Sequence, residues 1–130
     1  MVIDTSALVA ILLGEAESNA IVRAIINDNK RLISVFSLLE TSIVIESKKG
    51  VDGTRELDLL LHKIQAKIIA FNAAQTEAAR KAWRDFGKGR HPAALNIGDC
   101  CSYALAKTTG EPLLFKGTDF SKTDIFSVSY

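Results

Sequence analysis

The chain has 130 residues, a net charge of +1, and is 48% hydrophobic and 24% charged. That suits one globular domain over residues 1–130 with a single apolar core, and it excludes a disordered chain and a protein coated throughout with basic charge. The apolar run Ala7 to Leu13 is too short to cross a bilayer and has no Lys or Arg ahead of it, so it reads as core rather than secretory signal.

In chain order, Met1 to Asp4 is a short apolar segment ending in an acid, which predicts a strand delivering Asp4 at its end. A helix follows from Thr5 to Leu13, and Gly14 punctuates it. Glu15 to Asn27 places Ala16, Ala20, Ile21, Ala24 and Ile25 on one helical face. Arg31 to Val35 predicts a second strand. Ser34 or Ser37 caps the next helix, which runs to about Lys49 before Gly50 stops it. Asp52 to Gln65 is a further amphipathic helix with Leu57, Leu60, Leu61 and Ile64 as its stripe. Lys67 to Phe71 predicts a third strand. Asn72 caps a helix to about Phe86, in which Trp83 and Phe86 read as core rather than as a platform for stacking bases. Gly87 to Pro92 is a basic loop broken by glycine. Ile97 to Thr109 is a helix ended by Gly110 and Pro112. Leu113 to Phe115 and Ile125 to Val128 are short final strands, separated by the polar loop Lys116 to Asp124. Short apolar strands alternating with helices argue for an α/β domain whose parallel sheet is covered on both faces.

Cys100 and Cys101 are adjacent and point about 100° apart on a helix, so they cannot bridge each other. Free buried thiols in a reducing, cytoplasmic setting are expected.

The informative residues are acids in apolar surroundings. Asp4 interrupts a buried strand and helix. Glu40 lies within the mostly apolar stretch Phe36 to Ile45. Asp99 stands beside Gly98 at the start of an apolar helix, and Asp119 follows the strand Leu113 to Phe115. A lone carboxylate is costly to keep ionised in such a setting, and no Lys or Arg sits one helical turn from Asp4 or Glu40. A shared hard cation with oxygen ligands would answer the problem for all four. Topology agrees, since ligands in open parallel sheets bind beyond the carboxyl ends of the strands. Each acid also has a plainer role open to it. Asp4 could cap the first helix, Glu40 could be half-exposed on its helix, Asp99 could complement a helix dipole, and Asp119 could be a turn residue.

The same residues carry a family resemblance. Val2–Ile3–Asp4–Thr5–Ser6–Ala7–Leu8 resembles the opening of a PIN domain, and Leu39–Glu40 sits where its second acidic motif does. Leu95 to Ala106, containing Gly98–Asp99–Cys100–Cys101–Ser102, is similar to the third acidic motif of VapC-type toxins. Pro112 to Phe120, containing Gly117–Thr118–Asp119, resembles the fourth. Order and spacing match over essentially the whole chain.

The resemblance implies a three-layer α/β/α fold with a central parallel sheet. It implies an Mg²⁺- or Mn²⁺-dependent endoribonuclease, the toxin of a type II toxin–antitoxin pair, that cleaves tRNA or other structured RNA. It also implies a homodimer held inactive by a VapB-type antitoxin. Asp4 and Asp99 are the expected direct metal ligands, with Glu40 and Asp119 completing the set. Asp124, in the same loop, competes with Asp119 for the fourth position. Thr5, Ser6, Asn96 and Thr118 are expected to orient the carboxylates. Lys88, Arg90 and Lys116 are candidates for contacting the RNA backbone, and His91, with no His or Cys partner at ligand spacing, is not expected to bind metal. Two rival readings are a catalytically silent PIN-like module that binds a basic partner in its acidic groove, and a receiver-like domain with an acidic Mg²⁺ pocket beside Lys116.

Overall fold

Strands at residues 2–3, 32–34 and 113–114 each contribute a consecutive pair of buried apolar residues that point to opposite faces of one sheet, and this alternation builds two cores. In the computed structural model, which describes residues 1–130, β1 (Val2–Ile3), β2 (Leu32–Ser34), β3 (Lys67–Ile69) and β4 (Leu113–Leu114) form a sheet of order β3-β2-β1-β4. All pairings are parallel, with Val2 opposite both Leu32 and Leu113. Val2, Leu32 and Leu113 therefore share one face. They pack with Ala82, Cys100, Tyr103 and Leu105 from helices α4 (Ala73–Phe86) and α5 (Ile97–Thr109). Ile3, Ile33 and Leu114 point the other way. They pack with Leu8 of α1 (Thr5–Leu12), with Ile21 and Ile25 of α2 (Ser18–Asn27), and with Ile64 just past α3 (Val35–Lys63). The result is the expected three-layer α/β/α arrangement. No helix is long and apolar enough to cross a membrane.

Strand order sets the location of the site. β1 lies between β2 and β4, and the connection from β3 to β4 crosses to the far side of β1. In open α/β sheets ligands bind at such a reversal, at the carboxyl ends of the strands. Asp4 directly follows β1, α3 starts directly after β2, and the loop carrying Asp119 follows β4.

The structure departs from the sequence expectations at four places. Residues Glu15 to Glu17 form a turn, and α2 begins only at Ser18. The expected strand at Ile125 to Val128 reduces to one parallel bridge between Ser127 and Leu113, because too few residues lie alongside the two-residue β4 to extend it. Trp83, expected in the core, is 45% exposed. It lies on the outer side of α4, while Phe86 packs inward against Tyr103 and His91. The helix starting at Val35 does not end at Gly50. The chain kinks there, with φ 63° and ψ −152°, and resumes as helix to Lys63.

That backbone conformation is open to glycine and strained for any other residue, although a methyl group at Gly50 would meet no atom within 4 Å. Gly50→Ala is therefore expected to destabilise the domain by about 1–3 kcal/mol through backbone strain alone, read from urea unfolding midpoints. Unchanged stability would show that the kink relaxes without cost.

Candidate active site

Asp4 is 4% exposed and caps α1. Its Oδ2 accepts from the Ser6 amide at 2.9 Å and from Ser6 Oγ at 2.7 Å. Its Oδ1 accepts from Ser102 Oγ at 2.5 Å. Ser6 Oγ in turn accepts from the Lys116 amide at 2.9 Å, which ties the start of α1 to the chain leaving β4. The capping role and the site role thus coexist in one side chain.

Asp99 lies in the first turn of α5 and forms a capping box with Asn96. The Asp99 amide donates to Asn96 Oδ1 at 2.9 Å, and the Asn96 amide donates to Asp99 Oδ2 at 3.0 Å. This leaves Oδ1 of Asp99 free of internal bonds. Burial pushes the Asp99 carboxyl up to about 6, and the negative charges of Asp4, Asp119 and Glu40 push in the same direction, against the lowering pull of the Asn96 amide. The four acids therefore share one electrostatic neighbourhood. Glu40 reaches it across Gly98. A Cβ on Gly98 would stand 2.7 Å from Glu40 Oε2 and 2.8 Å from Oε1, so only glycine lets the Glu40 carboxylate lie against the first turn of α5. Asp119 is exposed at the head of a 3₁₀ turn (Phe120–Lys122), and its side chain makes no capping bond.

Asp124 belongs elsewhere. It accepts from Tyr103 OH at 2.6 Å and pairs with Lys107 Nζ at 2.8 Å, further along α5.

The charge pattern is selective. Nearly every other carboxylate in the chain has an ion-pair partner: Glu15, Glu17, Asp28, Asp52, Glu56, Glu77, Asp85, Glu111 and Asp124. Apart from Glu46 and Asp58, exposed on α3, the acids without one are Asp4, Glu40, Asp99 and Asp119. No three His, Cys, Asp or Glu side chains are drawn together tightly enough to form a ready metal cage. The donor set still suits a hard divalent ion in kind, being all oxygen, electrostatically coupled and without a competing Lys or Arg.

Of the residues expected to orient the acids, Ser6 and Asn96 do so directly. Thr5 Oγ1 instead donates to the Ser37 carbonyl at 3.5 Å. Thr118 is exposed, and its carbonyl accepts from Ser121. Ser102 and Ser37 are both buried; the sequence offered no role for Ser102 and offered Ser37 only as a cap for α3, which Ser34 provides instead through the Phe36 amide. A serine inside the apolar run of α5, one turn from Asp99, is the signal that could have found Ser102.

Among the basic candidates, Lys88 is exposed, and the Arg90 guanidinium stacks over Trp83 at 4.4 Å. Lys116 Nζ bonds Glu15 and lies 3.4 Å from Glu17, so its charge is already compensated. His91 Nδ1 accepts from the Ala93 amide at 3.1 Å. A groove of about 620 Å³ runs beside the acids rather than around them; Phe36, Phe71, Trp83, Ile97 and Cys100 line it. The two cysteines are free and buried, and burial pushes both thiols up to about 11.

A parallel three-layer domain with four unpaired acids around its switch point defines a class of acidic-site α/β proteins. Comparison with known proteins gives the particular family. The PIN-domain model matches residues 1–125. Ribonuclease VapC of Mycolicibacterium smegmatis is 56% identical over 128 residues, covering 98% of this chain and 99% of the relative. Ribonuclease VapC30 of Mycobacterium tuberculosis is 54% identical over 129 residues, covering 99% and 98%. Among solved structures, the sarcin–ricin loop cleaving toxin VapC20 of M. tuberculosis superposes with a TM-score of 0.79 at 18% identity, over 98% of this chain and 97% of that one. VapBC2 of Rickettsia felis, bound to a DNA fragment from its promoter, superposes at 0.74 and 19% identity, over 98% and 96%. The chain belongs to the PIN-domain family, in its VapC group.

The raised Asp99 carboxyl makes a stability prediction. The folded protein holds this proton to a higher pH than the unfolded chain does, so stability falls as pH rises from about 4 to about 6 and stays reduced above that. Asp99→Asn removes the buried charge and keeps an acceptor for the Asn96 amide. It is expected to be more stable than wild type by about 1–2 kcal/mol at pH 7.5, with the difference vanishing below about pH 4. Denaturant titrations at the two pH values check this, and equal stability at pH 7.5 would contradict it.

Proposed function

We propose that this protein is a divalent-metal-dependent endoribonuclease, the toxin of a type II toxin–antitoxin pair, acting in the cytoplasm on tRNA or another structured RNA. One observation carries the reading. The carboxylates left without a cation partner, other than two on the surface of α3, are the four at the switch point of the sheet. The family relatives named as ribonucleases support RNA as the substrate.

Asp4 and Asp99 would hold Mg²⁺ or Mn²⁺ directly, with Glu40 and Asp119 completing the oxygen set. When bound, the ion activates water and neutralises charge on the phosphodiester. The chain's own residues do the rest. Ser6 and Ser102 fix the orientation of the Asp4 carboxylate, since they donate all three of its hydrogen bonds. Asn96 fixes the Asp99 rotamer through the capping box. Asp119, exposed and free of internal side-chain bonds, is placed to accept a proton from an attacking water. Lys88 and Arg90, uncompensated by any acid, supply positive charge for the RNA backbone. Lys116 is better read as a brace for the turn at Glu15 and Glu17.

A VapB-type antitoxin and a second copy of the chain are the proposed protein partners. Val35, Leu39 and Ile43 recur at helical spacing on α3 and are 44%, 58% and 61% exposed, with Ile97 and Trp83 exposed nearby. An apolar strip of this kind supports a homodimer built on α3 and the start of α5.

Two experiments test the reading. RNA cleavage should require Mg²⁺ or Mn²⁺, stop in EDTA, and resume when Mn²⁺ is restored. Asp99→Asn should lower the rate by about 10²-fold or more while remaining folded. Wild-type rates in EDTA or in Asp99→Asn would sink the metal-dependent assignment. For the dimer, Leu39→Glu with Ile43→Glu should halve the mass seen by sedimentation equilibrium. An unchanged mass would place the interface elsewhere.

A further inference from the structure

Three of the four acids, Asp4, Glu40 and Asp99, sit on elements that a pair of buried hydroxyls ties together. Ser102 lies three residues after Asp99 on α5, and Ser37 lies three residues before Glu40 on α3. Each serine is therefore one helical turn from an acid, on the same side of its helix. The two Oγ atoms are 3.1 Å apart, and both residues are buried. Ser102 gives its one hydroxyl proton to Asp4 Oδ1, so the bond between the serines must be donated by Ser37. The direction of the chain is settled: Ser37 to Ser102 to Asp4.

A carboxylate has about four acceptor sites, two on each oxygen. Ser6 fills both on Oδ2 through its amide and its hydroxyl. Ser102 fills one on Oδ1. One site is left, on Oδ1, and the bond from Ser102 sets where it points.

We propose that Ser102, backed by Ser37, is a positioning residue that aims the one free acceptor site of Asp4 at a divalent cation. The inference rests on the metal-dependent reading above and adds residues to it. Through the same contacts the relay holds α3 and α5, and with them Glu40 and Asp99, in register with β1. Outer hydrogen bonds of this kind tune metal affinity by about 10–100-fold.

The test is calorimetric titration of the full chain with Mn²⁺, alongside thermal unfolding. Ser102→Ala is expected to weaken Mn²⁺ binding about tenfold, and Ser37→Ala by a smaller factor above about twofold. Thr41→Val is the control. The Thr41 hydroxyl is also buried and donates to the Ser37 carbonyl at 2.7 Å, but it takes no part in the relay. Its loss should lower the unfolding temperature and leave Mn²⁺ affinity unchanged. Wild-type affinity in Ser102→Ala overturns the proposal, as does a loss in Thr41→Val equal to that in Ser102→Ala. Should Ser102→Ala fail to fold, Ser37→Ala decides, and wild-type affinity there overturns it. A wild-type protein that binds no Mn²⁺ takes the metal-dependent reading down with it, which separates the two failures.

Discussion

A carboxylate buried at the end of the central strand is the constraint on which the rest of the site depends. Asp4 is almost wholly removed from water, yet no Lys or Arg neutralises it. Burying an unpaired charge is expensive unless donors replace its hydration. Here one amide and two hydroxyls do so. Hydroxyls satisfy hydrogen-bonding demand without cancelling charge, whereas a salt bridge would satisfy both and leave nothing to attract a cation. With Ser6 and Ser102 as partners, Asp4 is hydrogen-bonded without an opposite charge beside it.

The same logic separates the crevice from the rest of the surface. At the opposite end of β1 the N-terminal ammonium lies buried between Asp28 and Glu111, at 3.0 and 3.2 Å, and bonds the Lys30 carbonyl. That end of the strand is electrically closed. Lys116 closes the charges of Glu15 and Glu17 at the turn before α2, and Lys107 closes Asp124. Compensation of most other carboxylates leaves a local concentration of negative charge at this edge in a chain whose net charge is only +1. The rise of Asp99 to about 6 is a direct consequence, since burial and three like charges act on one carboxyl.

Several features were legible before any coordinates. The alternation of short apolar runs with helical patterns pointed to a parallel α/β sheet, because only strands buried on both faces read as continuous apolar segments. Acids in apolar surroundings drew attention to Asp4 and Glu40, and the structure adds that Asp4 also caps α1 while Glu40 is half-buried on α3. Other features were not legible, and the reasons differ. Helical periodicity put Trp83 on an apolar face, but that face of α4 borders an open groove. Asp119 and Asp124 share one loop, and only the reach of Lys107 and Tyr103 from α5 removes Asp124 from the crevice. Lys116 looked free because its partners lie about a hundred residues away along the chain. Thr5 and Thr118 sit next to acids in sequence, but neither side chain bonds the acid beside it.

By itself the sequence determined which residues carry charge into the core, and the order of strands and helices that brings them to one end of a sheet. Those properties are local, set by residue type and by the periods of helix and strand. Only the tertiary structure decided which hydroxyls meet Asp4, that Glu40 passes over Gly98, and which loop acid stays unpaired. These contacts join residues tens of positions apart, and their geometry follows from how α3 and α5 pack across the sheet rather than from any neighbour along the chain.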